Sequence, residues 1–175
     1  YVMLKTSVKL VRSNKPIVSK VYVPKYVLIV EKILRNGFKT LISFAIVLVL
    51  MIIYRVPFSW QMLWVIPILA SFVIFTFGAC SILLHFGVYV EDLANFTNIV
   101  LRLLFYATGV FYNLADKITG ELGYWIVRLN PLALYLTCMR DSLLYGAMPN
   151  LPWLGVWTVF GVLMCFAGIK LIQKN

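Results

Sequence analysis

Catalysis needs groups that converge, and this sequence scatters them. His85 is the single histidine, Glu91 and Asp92 are the only adjacent acids, and Cys80, Cys138 and Cys165 stand apart in apolar segments. Acid–base chemistry requires an imidazole or carboxylate within hydrogen-bond reach of its partner, and a metal site requires clustered ligands. The cysteines therefore read as small buried hydrophobes. No G-x-x-x-x-G-K-[ST], G-x-S-x-G or H-E-x-x-H string occurs, so no P-loop, hydrolase elbow or zincin helix is expected. No catalytic residue, metal ligand or cofactor is expected in this chain, and ATP hydrolysis is not its chemistry.

The residues with chemical content lie in IVLRLLFYATGVFY, residues 99–112. Arg102, Phe105, Gly109 and Tyr112 are spaced 3, 4 and 3, which sets a cation, a ring, a glycine and a second ring along one helical face. In an apolar setting a charge costs roughly 2.5–3.5 kcal/mol to insert, so it faces protein or a watery cavity. One reading is a substrate pathway: rings pack on sugar C–H surfaces, glycine leaves width and the guanidinium attracts phosphate. The other is an interhelical arginine paired with carbonyls or an acid.

The composition says where such a face would sit. The chain is 62% hydrophobic and only 13% charged, with a mean hydropathy of +0.92, whereas a water-soluble domain has about 25% charged residues. This predicts an all-α polytopic membrane protein. Segments 56–90 and 142–169 contain no Lys, Arg, Asp or Glu, 40–54 is a shorter such run, and 93–114 is interrupted by Arg102 alone. Four spans are predicted, roughly 38–54, 60–86, 93–113 and 152–172. Residues 116–150 are apolar but punctuated by Gly120, Gly123, Pro131 and Gly146; they read as an external hairpin dipping into one leaflet. Asn130-Pro131 should start its second helix, with Gly146 near the end. The expected divisions are 1–36 as coupling segment and helix lead-in, 37–115 as three spans, 116–150 as hairpin and 151–175 as last span and tail.

Charge sets the orientation. Nine Lys or Arg against the single acid Glu31 fall in residues 1–39, which predicts a cytoplasmic N-terminal end. Four spans return the C-terminal end, with Lys170 and Lys174, to the same side. The net charge of +10 then lies at the membrane face, pointing to anionic lipid or a cytoplasmic protein and away from nucleic acid. The opening YVMLKTSVKL has no initiator Met and no signal-peptide pattern, so the chain is expected to be part of a longer protein.

Within LVRSNKPIVSKVYVPKYVL, residues 10–28, Pro16 and Pro24 bound a short element. Its Ile17, Val18 and Val21 share an apolar face, and Lys15, Ser19 and Lys20 can face water. A polybasic membrane anchor and a docking helix for a cytoplasmic protein both fit. At the other side, Arg140 and Asp141 read as an exit-gate contact or as solvated helix charges, and Tyr124, Trp125 and Tyr135 as headgroup anchors or as stacking surfaces for an emerging polymer.

Four stretches together resemble the membrane subunits of ABC exporters for teichoic acid and O-antigen polysaccharide. NKPIVSKVYVP at 14–24 is similar to the segment before that family's third span, and FGVYVEDLANF at 86–96 to its cytoplasmic turn into the fifth. IVLRLLFY at 99–106 resembles the fifth span itself, and LNPLALYLTCMRDSLLYG at 129–146 the external N-P, R, L-x-x-G pattern. Glu91 departs from it, standing where the family often has Arg before Asp92.

The resemblance implies a six-span permease subunit of which this chain holds the third to sixth spans. It pairs with a second copy and with two cytoplasmic ATPase subunits, which carry the ATP and Mg. Asn14, Lys15, Ile17, Lys20, Val21 and Pro24 become ATPase-coupling residues; Arg102, Phe105, Gly109 and Tyr112 the substrate pathway; Asn130, Pro131 and Arg140 the external gate. The cargo implied is a teichoic acid or O-antigen-like glycopolymer on undecaprenyl pyrophosphate, moved outward across a bacterial plasma membrane. A drug-exporting permease of the same architecture is the alternative. A membrane-embedded lipid or sugar transferase is a third, disfavoured by the lack of convergent acids and histidine.

Overall fold

The computed structural model describes residues 2–9, 25–56, 59–90, 92–109, 125 and 127–173. Among them every regular element is helical. Helix α1 covers Val2–Ser7, α2 Lys25–Ile53, α3 Val65–Tyr89, α4 Leu93–Ala107, α5 Pro131–Arg140 and α6 Leu151–Gln173. A 3₁₀ turn, Trp60–Trp64, leads into α3, and a π turn, Asp141–Tyr145, continues α5. The all-α membrane architecture expected from composition is the one observed.

Among the described residues three helices have the length and apolarity to cross a bilayer: Val27–Ile53, Trp60–Tyr89 and Leu151–Ile172. Two match the predicted spans closely. The first begins well before the expected residue 38, because the uncharged run sits on a helix that continues through a basic, water-compatible stretch. There Glu31 pairs with Arg35 one turn on and lies 3.7 Å from Lys32. The predicted span 93–113 is helical to Ala107 only. Its 15 residues rise about 22 Å, short of the roughly 30 Å of hydrocarbon, and residues 110–124 lie outside the described set.

The most extensive packing joins α3 to α6. These helices run parallel, because Gly161 faces Phe75, Cys165 faces Ile74 and Gly78, and Gly168 faces Ser81. Lipid tails are as apolar as leucine, so helix association in a membrane relies on close van der Waals approach between small residues. Gly78, Gly161 and Gly168 supply it: a Cβ on Gly78 would come within 2.9 Å of the Gly161 carbonyl oxygen, and one on Gly168 within 2.5 Å of the Ser81 Cβ. The Cys165 thiol donates to the Ile74 carbonyl at 3.2 Å across the same seam.

Two apolar clusters clamp α2 to α3. At one end Leu28 and Ile29 meet Cys80, Leu84 and Ile172. At the other, Met51 meets Val65 and Leu143 of the π turn. Helix α1 closes the first end, where the Val8 backbone passes so near Gly87 that any Cβ there would collide with it.

Candidate functional site

Helix α4 carries the arginine singled out by the sequence. It buries Ala94, Thr97 and Leu101, leaving Arg102 exposed on the neighbouring face. Phe105 follows three residues on, also exposed. Gly109 does not continue this face. The helix ends at Ala107, and Gly109 has φ 65°, a left-handed conformation that suits glycine and stops a right-handed helix. Thr108 donates back to the Leu104 carbonyl, tightening the last turn. Of the four residues spaced 3-4-3, Arg102 and Phe105 are thus exposed on α4, Gly109 falls beyond the helix end, and Tyr112 lies outside the described residues. Spacing presumed one continuous helix, and a glycine free to adopt positive φ ended it.

Residues at both ends of α5 meet that helix end. Asn130 is the N-cap of α5, its Oδ1 accepting from the amides of Leu132 (3.1 Å) and Ala133 (3.4 Å), and Pro131 is the first helical residue. Both roles suit their chemistry: the carboxamide satisfies orphan amides, and proline needs no amide partner there. Asn130 Nδ2 donates to Thr108 Oγ1 at 3.3 Å, and Arg140 Nη2 donates to the Gly109 carbonyl at 3.3 Å. Asn130 and Arg140, expected from sequence at an external gate, are thus brought together with the end of α4. As expected, the helical run from Pro131 ends at Gly146, with φ 58°. Arg140 and Asp141 are half-buried, and burial pushes the Asp141 carboxyl above its ordinary range.

Sequence reading missed what holds α5 in place. Tyr135, considered as a surface anchor or a stacking ring, is 4% exposed and packs edge-on against Phe72. Its hydroxyl bonds to Ser71 Oγ at 2.8 Å, and Ser71 also bonds Thr158. Three hydroxyls from α3, α5 and α6 thus satisfy one another inside an apolar cluster. Trp157 Nε1 donates to the Arg128 carbonyl at 2.9 Å, and the Arg128 guanidinium lies 5.8 Å from the Trp153 ring. The legible signal was a small hydroxyl residue, Ser71, set in the apolar run ILASFVIF of α3.

The coupling residues Asn14, Lys15, Ile17, Lys20, Val21 and Pro24 lie outside the described residues. His85 packs against the rings of Phe86 and Tyr89 at 5.4 and 5.3 Å. Cys80 and Cys138 are buried free thiols, and no group of three His, Cys, Asp or Glu that could hold a metal forms among the described residues.

Comparison with known proteins finds relatives for most of the chain. Two curated relatives from Klebsiella pneumoniae, each named O-antigen export system permease protein RfbA, are 27% identical over 163 residues. The match covers 93% of this chain and 62% of each relative's length. No solved structure matches. The profile described as ABC-2 type transporter matches residues 2–144, most of the helical architecture above, and the chain belongs to that membrane-domain family.

Proposed function

We propose that this chain is part of the permease of an ATP-driven exporter that moves a lipid-linked polysaccharide outward across a bacterial plasma membrane. The observation that carries the reading is its extended similarity to two permeases named for O-antigen export. Arg102 supports it. It is the only charge within the α4 sequence, is exposed along that helix, and has no hydrogen-bonding or ionic partner among the described residues. A phosphate-bearing cargo in a hydrated passage would supply that partner.

Two cytoplasmic ATPase subunits bind and hydrolyse ATP with Mg, a second copy of the permease completes the passage, and the cargo rides on undecaprenyl pyrophosphate. O-antigen is favoured over teichoic acid by the names of the relatives. Both ends of the chain face the cytoplasm, the basic residues 1–39 lying against the anionic leaflet.

Residues 14–24 dock on the ATPase in this account, and the reading is tested there. The pair Lys20→Glu with Val21→Asp should lower export at least tenfold, roughly the effect of losing 1.4 kcal/mol of coupling, while membrane insertion and protein level stay unchanged. Wild-type export with normal cargo-stimulated ATP turnover would remove the docking role.

A further inference from the structure

Because α4 stops at Ala107, the stripe containing Arg102 has to be followed in the other direction, toward the helix start. Stepping back by 4 and 3 residues from Arg102 gives Asn98 and Asn95, so Asn95, Asn98, Arg102 and Phe105 follow the 3-4-3 spacing of one helical face. The buried seam of Ala94, Thr97 and Leu101 flanks this stripe on one side. Phe96, Ile99 and Leu103, 64%, 62% and 65% exposed, form the apolar face on the other, suited to lipid. Two carboxamides and a guanidinium thus run up the boundary between the two.

Asn98 reinforces the point. Its Oδ1 is shielded from solvent and, among the described residues, has no hydrogen-bond partner. An amide oxygen left unpaired in an apolar setting is costly, so a ligand or ordered water is expected to meet it.

The chemistry divides along the stripe. A carboxamide donates and accepts at once, which matches sugar hydroxyls, and a guanidinium matches the paired oxygens of phosphate. Asp92, exposed at the start of α4, makes that end poor for an anion and leaves the phosphate to Arg102, about 15 Å further along the helix. We propose that the Asn95–Asn98–Arg102 stripe binds the head of a phosphate-linked glycolipid, the phosphate on Arg102 and hydroxyls of the first sugar on Asn95 and Asn98. This rests on the exporter reading above and assigns the two asparagines a role in choosing cargo by its sugar.

The test is binding by native mass spectrometry of the intact transporter in detergent, with two probes: undecaprenyl pyrophosphate, and the same lipid bearing one sugar. Asn98→Leu and Asn95→Leu should each weaken the sugar-bearing lipid about tenfold, the effect of one hydrogen bond of roughly 1.4 kcal/mol, and leave the bare lipid unchanged. Arg102→Gln should weaken both. Leucine is tolerated on a membrane helix, and Asn95 is exposed, so that variant keeps the test sound if Asn98→Leu misassembles.

Equal binding of the two lipids by wild type and both asparagine variants would overturn the stripe while leaving the exporter reading standing. So would asparagine variants whose only effect is loss of the second permease copy, since the stripe would then be an interface. Displacement of the lipid by equimolar inorganic pyrophosphate would overturn the glycolipid assignment in favour of a free-anion site. Binding of neither lipid by wild type would sink the exporter reading as well.

Discussion

Gly168→Leu is expected to prevent the last helix from docking and to remove most folded protein from the membrane. A Cβ at this position would lie 2.5 Å from the Ser81 Cβ, an atom fixed to the α3 backbone that cannot swing aside as the tip of a long side chain could. Leucine adds three further carbons at the same place. Overpacking costs about 1–3 kcal/mol where neighbours can relax; here two parallel helices would have to separate along their whole seam. The Cys165 to Ile74 bond and the Ser71–Thr158 contact would be lost with it. Gly155→Leu supplies the control, since nothing lies within 4 Å of a Cβ built at Gly155 on the same helix. Folded yield and melting temperature in detergent should collapse for the first variant and match wild type for the second. Equal stability of the two would show that the seam is not held by close approach.

The second large effect concerns Arg102. Replacing it with Gln keeps hydrogen bonding and removes charge, whereas Lys keeps charge and loses the planar fork. If the guanidinium meets the phosphate of the cargo, Arg102→Gln should reduce export between tenfold and about a hundredfold, the range for losing a charge-assisted hydrogen bond. Arg102→Lys should retain a substantial fraction. Because Arg102 is exposed on α4 and has no bond to another described residue, both variants should reach the membrane at wild-type levels. Failure of both to assemble, or normal export by the Gln variant, would make Arg102 a packing residue.

Much of this protein was legible in its sequence, because a bilayer enforces simple rules. Long uncharged runs have to be helices, and those around 60–86 and 152–172 were placed closely. Asn130-Pro131 and Gly146 marked the two ends of the helical run that begins with α5, since capping and positive φ are local properties of those residue types. What escaped depended on contact across the fold. Hydropathy is blind to the glycines of the α3–α6 seam, whose only trace is a seven-residue spacing from Gly161 to Gly168. Tyr135 looked like an interfacial ring because tyrosine suits headgroups, yet a serine on α3 made it a core residue. The helix end at Ala107 was missed because glycine is tolerated inside membrane helices as well as at their ends, and that error hid the asparagines on the other side of Arg102.

The central claim is that the assembled protein moves a lipid-linked glycan, and reconstitution tests it most directly. The intact permease and its ATPase, placed in vesicles with a labelled undecaprenyl-pyrophosphate glycan in the ATP-accessible leaflet, should carry that label to the opposite leaflet. Movement should require ATP and fall with Arg102→Gln. ATP-dependent transport of a small amphipathic drug, with the labelled glycolipid remaining where it was placed, would contradict the account.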